Sequence, residues 1–137
     1  MKYINKKLFI ERVSVESIAK RYGTPTYCYS YDRLKKNIIN FKKNFKPFSP
    51  LICFAIKSNT NLNLIREIKK LGLGADVVSM GELMIAIKAG INPQKIVFSG
   101  VGKTSSEIAY AIDKKILLIN AESKSEIEEI NRIAKLK

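Results

Sequence analysis

The sequence predicts an α/β protein in which short strands and amphipathic helices alternate. Five apolar segments begin near Tyr27, Ile52, Ala75, Ile96 and Leu117, at nearly even intervals along the chain. Each is followed by a stretch in which apolar residues recur with helical spacing. Strands that alternate strictly with helices pair in parallel through right-handed crossovers. The pattern indicates about five strand–helix units, which fit either an open doubly wound sheet or part of a barrel.

The predicted helices have start and stop signals in the expected places. They cover roughly residues 31–45, 61–71, 81–89, 105–115 and 124–137. Ser79, Thr104 and Ser123 are each followed three residues later by a glutamate, which is the pattern of a capping box. Gly72 and Gly90 fit the ends of two helices.

The first residues form a separate element in this prediction. A short helix is expected over residues 15–22, capped by Ser14 and ended by Gly23. Residues 1–24 are therefore predicted to be a helical lead-in, and residues 25–137 a domain of strand–helix units.

Charge and composition narrow the class of protein. The chain has 137 residues and a formal net charge of +13, but its lysines are spread over every predicted helix. Because no arginine clusters or interleaved aromatic residues accompany them, we expect a solvated surface and no nucleic-acid partner. A basic nucleic-acid-binding domain is an alternative that net charge alone favours.

Hydropathy and cysteine content indicate the cellular compartment of the protein. No apolar run reaches the roughly 20 residues of a membrane span and no secretory signal is evident, so a cytoplasmic protein without a membrane partner is predicted. Cys28 and Cys53 fall in predicted interior strands, where reduced and buried thiols are expected.

Lys57 is the best candidate for a functional residue. It ends the apolar run 51–56, which is typical of a strand buried on both faces. With the side-chain period of a strand, Lys57 shares a face with Cys53 and Ala55, whereas the bulkier Phe54 and Ile56 point the other way. A lysine kept out of water beside small neighbours can attack an aldehyde as a neutral amine. From position alone, a lysine that ends a strand and extends into solvent is also consistent with the pattern.

Two apparent phosphate-binding motifs are incomplete. GVGKT at 100–104 looks like the end of a nucleotide-binding loop, but Val97 stands where the motif needs glycine. GLG at 72–74 starts a dinucleotide-binding motif that fails at Val77 and precedes a strand instead of following one. The sequence has no histidine, which removes Ser-His-Asp triads and most zinc or iron sites, so no metal site is predicted.

Several segments together resemble the fold-type III pyridoxal-phosphate-dependent decarboxylases, the family of the diaminopimelate, ornithine and arginine decarboxylases. FAIKSN at 54–59 resembles the family's cofactor-binding lysine motif. GADVVSMGEL at 74–83, AGI at 89–91, KIVFSGVGKT at 95–104 and NAES at 120–123 follow in order, and they resemble the diaminopimelate enzymes most. The resemblance runs from about residue 23 to the last residue.

This resemblance implies a partial (β/α)8 TIM barrel of the alanine racemase-like type. A complete barrel of this kind needs about 250 residues, so the chain is expected to be the N-terminal part of a longer protein or a truncated gene product. In such a barrel the active site lies at the carboxyl ends of the strands, where Lys57, Ser79 and the loop 99–102 fall.

The resemblance also implies roles for the candidate site residues. Lys57 would bind pyridoxal 5′-phosphate as a Schiff base, with Ala55 and Asn59 beside it, although Asn59 could equally cap the helix that follows. Asp76 would lie next to the cofactor, but a buried aspartate held by backbone donors or a nearby cation gives the same sequence pattern. Glu82 would belong to the hydrogen-bonded surroundings of the cofactor, or would simply close the capping box of its own helix.

The activity implied is pyridoxal-phosphate-dependent decarboxylation of meso-diaminopimelate to L-lysine and carbon dioxide, in lysine biosynthesis. Another basic amino-acid decarboxylase, acting on ornithine or arginine, and a non-catalytic pyridoxal-phosphate-binding barrel are the alternatives. The family also implies a homodimer and a small amino-acid substrate. Its cofactor-stacking histidine, phosphate-binding glycines, pyridine-nitrogen partner and cross-dimer cysteine cannot be assigned within residues 1–137, so these residues alone are expected to be inactive.

Overall fold

The computed structural model describes residues 1–137, which form two compact units, Met1–Phe48 and Ser49–Lys137. The first unit contains a three-stranded antiparallel sheet, in the order β1-β2-β3, and two helices. Its elements are β1 (Lys2–Ile4), β2 (Lys7–Ile10), β3 (Val13–Ser14), α1 (Val15–Tyr22) and α2 (Tyr31–Phe45), followed by a 3₁₀ turn at Lys46–Phe48.

The lead-in predicted for residues 1–24 is helical only in its second half. Helix α1 has the expected bounds, and the Ser14 hydroxyl accepts a hydrogen bond from the Ser17 amide at 3.1 Å. The antiparallel strands before it were not predicted. The turn between β1 and β2 places Asn5 and Lys6 at φ values of 47° and 62°. Hairpin turns of this kind are usually signalled by glycine after asparagine, and a lysine at the second position hides that signal.

The strand predicted near Tyr27 is not formed. Residues 25–30 have no regular secondary structure, and Tyr27 is 90% exposed. The aromatic residues in this segment favour a strand, but a strand also needs a neighbour to pair with, and this segment pairs with none in the structure. The expectation of an interior Cys28 is wrong for the same reason, because Cys28 is exposed.

The second unit is a four-stranded parallel sheet with a helix after each strand. Its strand order is β4-β5-β6-β7, so four strand–helix units are present where about five were predicted. The strands are β4 (Cys53–Ala55), β5 (Gly74–Val77), β6 (Ile96–Phe98) and β7 (Leu118–Ile119), and the helices are α3 (Leu62–Lys70), α4 (Met80–Lys88), α5 (Ser105–Asp113) and α6 (Lys124–Ala134). Two 3₁₀ turns, Ile56–Ser58 and Pro93–Lys95, complete it.

The two faces of this parallel sheet differ in burial. Side chains on one face are fully buried in a core shared with helices α3 to α5, and they include Ala75, Val77, Ile96 and Phe98. The opposite face carries Ala55, Asp76, Val97 and Leu118, which are register neighbours across β4, β5, β6 and β7. These side chains are half-buried or exposed. We call this second surface the open face.

The ends of the helices follow the predicted signals. Thr104 and Glu107 form a complete capping box at the start of α5. The hydroxyls of Ser79 and Ser123 also accept the expected amide hydrogen bonds at the starts of α4 and α6. In these two helices the glutamate reaches one residue further back, so it binds the amide before the capping serine. None of the helices is both long and apolar enough to cross a membrane.

One glycine is required by close packing between neighbouring elements. Gly74 begins β5, where a β-carbon would overlap the carbonyl oxygen of Lys95 and come within 2.9 Å of the Cys53 sulfur. Any larger residue would push β4 and the Pro93–Lys95 turn away from β5. Gly74 therefore helps to set the register that brings Ala55 beside Asp76.

Candidate active site

Lys57 lies in the 3₁₀ turn that directly follows β4. The strand is shorter than the run 51–56, because the chain turns at Ile56: the Asn59 amide donates to the Ile56 carbonyl at 2.9 Å. Ile56 enters the core with no exposed surface, as expected for the bulky face. Lys57 is exposed and its amine makes no hydrogen bond or ion pair within this chain. Residues 1–137 therefore do not provide the buried surroundings that were predicted for this amine, and they leave it accessible.

Asp76 lies within β5. It accepts a hydrogen bond from a side chain that follows β6, and that side chain is bound in turn by one that follows β7. The Ser99 hydroxyl donates a hydrogen bond to Asp76 Oδ1 at 2.6 Å, and the Asn120 side-chain amide donates to Ser99 Oγ at 3.0 Å. Ser99 directly follows β6, and Asn120 directly follows β7. The hydrogen-bonding partner of Asp76 is thus a hydroxyl group, which the sequence did not predict.

The charge of Asp76 affects the pKa of the neighbouring Cys53 thiol. Burial, and secondly the negative charge of Asp76, raise the pKa of the Cys53 thiol above its ordinary value. Cys53 is two residues before Ala55 in β4, and Ala55 pairs with Asp76. The small side chains of Cys53 and Ala55 therefore lie on the open face next to a carboxylate, as the strand period predicted.

Glu82 stabilises the loop between β5 and α4. Its carboxylate accepts the Val78 amide at 2.9 Å, and its own amide donates to the Ser79 hydroxyl at 3.2 Å. The Ser79 cap is formed as expected, but Glu82 does not close the capping box, because its carboxylate binds the Val78 amide and not the Ser79 amide. No hydrogen bond or ion pair joins Glu82 to Lys57 or Asp76, so its role toward a cofactor stays a prediction.

Asn59 also makes local contacts. Its side-chain carbonyl accepts the Asn61 amide at 2.9 Å, and Asn61 in turn caps α3 through the amides of Asn63 and Leu64. Asn59 therefore fixes the path of the chain from the Lys57 turn into α3. The Ser58 hydroxyl, which donates to the Ala55 carbonyl at 2.8 Å, closes the same turn.

Lys103 is a structurally important residue that no sequence motif singles out. Its side chain is only 1% exposed and its ammonium group donates to the carbonyls of Gly100 and Asn120 at 2.6 and 2.7 Å and to Glu126 at 3.1 Å. These three contacts use all three hydrogens of the ammonium group. Lys103 thereby ties the loop after β6 to the loop after β7 and to α6. The segment 95–104 was recognised as a family motif, but no sequence rule points to this set of acceptors.

The residues present fit the reactive end of a pyridoxal-type cofactor. An accessible primary amine follows β4, and a carboxylate lies in the adjacent strand β5, where its register partner in β4 is the small residue Ala55. An aldehyde requires such an amine for covalent attachment. No group of three or more cysteine, aspartate or glutamate side chains is arranged to hold a metal ion. A surface cavity of about 640 Å³ lies in the first unit and is lined by none of the predicted site residues.

Comparison with known proteins identifies relatives along nearly the whole chain. A family model described as pyridoxal-dependent decarboxylase, pyridoxal binding domain, matches residues 31–136. The diaminopimelate decarboxylase of Aquifex aeolicus is 45% identical over 98% of this chain, which corresponds to 31% of that protein. This chain therefore spans about a third of the length of such relatives.

Solved structures of decarboxylases are also similar to this chain. The diaminopimelate decarboxylase of Helicobacter pylori, crystallised with L-lysine, is 44% identical and superimposes on 88% of this chain with a TM-score of 0.85, covering 31% of that chain. The ornithine decarboxylase of Entamoeba histolytica is 25% identical over 73% of this chain, with a TM-score of 0.62 and 30% of that chain covered.

Proposed function

This chain belongs to the family of the pyridoxal-dependent decarboxylases, as their pyridoxal-binding domain, and we propose that the complete protein converts meso-diaminopimelate to L-lysine and carbon dioxide. Pyridoxal 5′-phosphate is the cofactor of this reaction. The observation that carries the proposal is Lys57, an accessible amine at the carboxyl end of β4, within the lysine motif at 54–59.

The fold proposed for the complete protein is the (β/α)8 barrel of the alanine racemase-like type, of which residues 25–137 supply the N-terminal part. The parallel sheet β4-β5-β6-β7 with helices on one face is consistent with this architecture. The open face would then line the inside of the barrel, and Lys57, Ser99 and Asn120 would lie at the carboxyl ends of the strands, where barrel enzymes have their active sites.

Each site residue has a proposed role. Lys57 holds the cofactor covalently through its aldehyde carbon, and Ala55 leaves space for the cofactor on the open face. Asp76 places a carboxylate beside the cofactor, while Glu82 and Asn59 keep the surrounding turns in place through their backbone contacts. When bound, the cofactor withdraws the electron pair that carbon dioxide leaves behind, and the protein supplies attachment and orientation.

The substrate proposal follows the pattern of similarity. Identity to two diaminopimelate decarboxylases is 44–45%, against 25% to an ornithine decarboxylase. The Helicobacter pylori enzyme was crystallised with L-lysine, the product of the proposed reaction. We further propose a cytoplasmic homodimer. The two unpaired cysteines are consistent with a reducing compartment.

Borohydride reduction of the complete protein in the presence of pyridoxal phosphate tests this proposal. We expect one modified peptide, labelled at Lys57, and release of carbon dioxide from meso-diaminopimelate in preference to ornithine and arginine. Lys57→Arg is expected to abolish both labelling and turnover, whereas Lys124→Arg, at a position whose side chain is 92% exposed, serves as the matched control. Labelling at another lysine would reject the site, and preference for ornithine or arginine would reject the substrate alone.

A further inference from the structure

We propose that Ser99 and Asn120 are positioning residues that fix the carboxylate of Asp76 on the open face. The three side chains form a chain of hydrogen bonds from Asn120 through Ser99 to Asp76, with distances of 3.0 and 2.6 Å. This inference deepens the proposed function, since it rests on Asp76 lying beside the cofactor.

The direction of the two hydrogen bonds follows from the chemistry of the groups. The side-chain nitrogen of Asn120 can only donate, so the Ser99 oxygen accepts there. The hydroxyl hydrogen of Ser99 is then directed at Asp76 Oδ1, which as a carboxylate oxygen only accepts. The length of 2.6 Å is typical of a hydroxyl bound to a charged oxygen.

The register of the sheet brings these residues together. Asp76 pairs with Val97 in β6, and Val97 pairs with Leu118 in β7. Ser99 is two residues beyond Val97 and Asn120 is two residues beyond Leu118, so the strand period places both on the open face. Any shift in register by one residue would move them to the opposite face.

Hydrogen bonds to the backbone groups of Ser99 and Asn120, and of Gly100 next to Ser99, hold the two donor residues in place. Lys103 donates to the carbonyl of Asn120 and to the carbonyl of Gly100, the residue after Ser99. The Ser99 and Asn120 amides donate to the carbonyls of Val77 and Phe98, both at 2.8 Å. Because both donors have fixed backbones, the hydrogen bond to Asp76 is preorganised before any ligand arrives.

One oxygen of Asp76 remains available under this arrangement. Ser99 occupies Oδ1, and Oδ2 accepts no hydrogen bond from residues 1–137. A carboxylate that is free to rotate would present either oxygen, whereas the bond from Ser99 restricts it to one orientation. The consequence is that Oδ2 is held in one orientation and stays available to accept a hydrogen bond.

The test is a double-mutant cycle in the complete protein. Ser99→Ala is expected to lower kcat for meso-diaminopimelate roughly tenfold with a smaller change in KM, the effect of losing one hydrogen bond to a charged group. Ser99→Thr keeps the hydroxyl and should retain most of the activity. Ser106→Ala, an exposed position at the start of α5, is the matched control and should resemble the unmodified protein.

The double-mutant cycle compares the effect of Ser99→Ala in two proteins, the unmodified one and the variant Asp76→Asn. If Ser99 acts through Asp76, Ser99→Ala has little further effect on kcat once Asp76 is replaced. The visible absorption spectrum of the bound cofactor is recorded for all variants, so the comparison holds even where turnover is too slow to measure. Melting temperatures separate a loss of stability from a loss of positioning.

The outcomes separate this inference from the proposed function. An equal effect of Ser99→Ala on turnover and spectrum in both backgrounds would overturn the positioning role and leave the decarboxylase proposal standing. An unmodified protein that neither binds pyridoxal phosphate nor releases carbon dioxide would overturn both. Full activity in Ser99→Ala would likewise reject the inference alone.

Discussion

Among single residues, Cys53 and Asp76 allow the contact between two side chains on the open face to be tested without any cofactor. The quantity measured is the pKa of the Cys53 thiol. The pKa of the Cys53 thiol is raised by burial and by the charge of Asp76. Asp76→Asn removes the second cause and leaves the first, so we expect the pKa of Cys53 to fall but to stay above that of a free thiol. The pH dependence of alkylation measures it, in a Cys28→Ser background that removes the exposed thiol.

Asp113→Asn is the matched control for this measurement. Asp113 forms an ion pair with Lys137 at 2.9 Å and contributes nothing to the raised pKa of Cys53. The thiol should therefore titrate as in the unmodified protein. A Cys53 pKa that stays the same in Asp76→Asn would show that the two side chains are not neighbours on the open face.

For these residues, the face of the strand was easier to predict from the sequence than the contacts that the side chains make. The apolar run and its period predicted that Cys53 and Ala55 share one face, because side-chain alternation is a local property. The same period put Lys57 on that face at the end of the strand, whereas the structure places it in the 3₁₀ turn after β4. The partner of Asp76 comes from Ser99, 23 residues further along. That contact depends on the register between β5 and β6, which a single sequence does not specify.

Among secondary-structure elements, Glu107 connects the starts of two helices. One carboxylate oxygen accepts the Thr104 amide at the start of α5, at 3.0 Å, and the other accepts the Met80 amide at the start of α4, at 2.9 Å. Glu107→Gln is expected to lower the free energy of unfolding by about 1–2 kcal/mol at neutral pH, because it weakens two charge-assisted caps. Urea denaturation measures this change. Glu128→Gln, on the exposed side of α6, should change it by less than about 0.5 kcal/mol.

The same carboxylate predicts how stability depends on pH. Hydrogen bonds from the amides of Thr104 and then Met80 lower the pKa of Glu107 in the folded protein. A lowered pKa means that the contribution to stability is complete above the ordinary pKa of glutamate and is lost as pH falls through the folded value. The difference between the unmodified protein and Glu107→Gln should therefore shrink below about pH 4. A difference that stays constant with pH would contradict this assignment.

The buried pair of Lys103 and Glu126 holds the loops after β6 and β7. Lys103→Met leaves Glu126 without its cation and frees two backbone carbonyls, so we expect a loss of about 3 kcal/mol in the free energy of unfolding. Replacing both residues by methionine should recover part of that loss, since an unpaired buried charge is the costly state. Lys124→Met, whose exposed amine lies 3.9 Å from Glu128, is the control and should change stability little.

Helices were predicted more accurately than the N-terminal strands. The bounds of α2 and the caps of α4, α5 and α6 follow from signals within a few residues of each other. Strands β1 to β3 are two to four residues long, and their turns place Lys6 and Glu11 at positive φ. Such short strands have too few residues to show alternation, and neither turn carries the usual glycine.

At the scale of the whole molecule, the sheet of residues 49–137 has two free edges and an uncovered face. Strands β4 and β7 each pair on one side only, and Leu118 on the open face is 49% exposed. Free strand edges and exposed apolar residues favour association between chains. We expect the polypeptide 1–137, produced on its own, to be poorly soluble, weakly protected from hydrogen exchange and inactive as a decarboxylase.

A charged substitution at the edge tests the cause of that behaviour. Leu118→Lys in the polypeptide 1–137 should raise solubility, because a lysine on an edge strand opposes pairing with another chain. Ile127→Lys places the same charge on an exposed position of α6, away from the sheet, and is expected to help less. Solubility and hydrogen-exchange protection are compared with those of the complete protein, where β7 gains a neighbour in the proposed barrel. If the unmodified polypeptide is instead soluble, well protected and releases carbon dioxide, the open face needs no further strands to function.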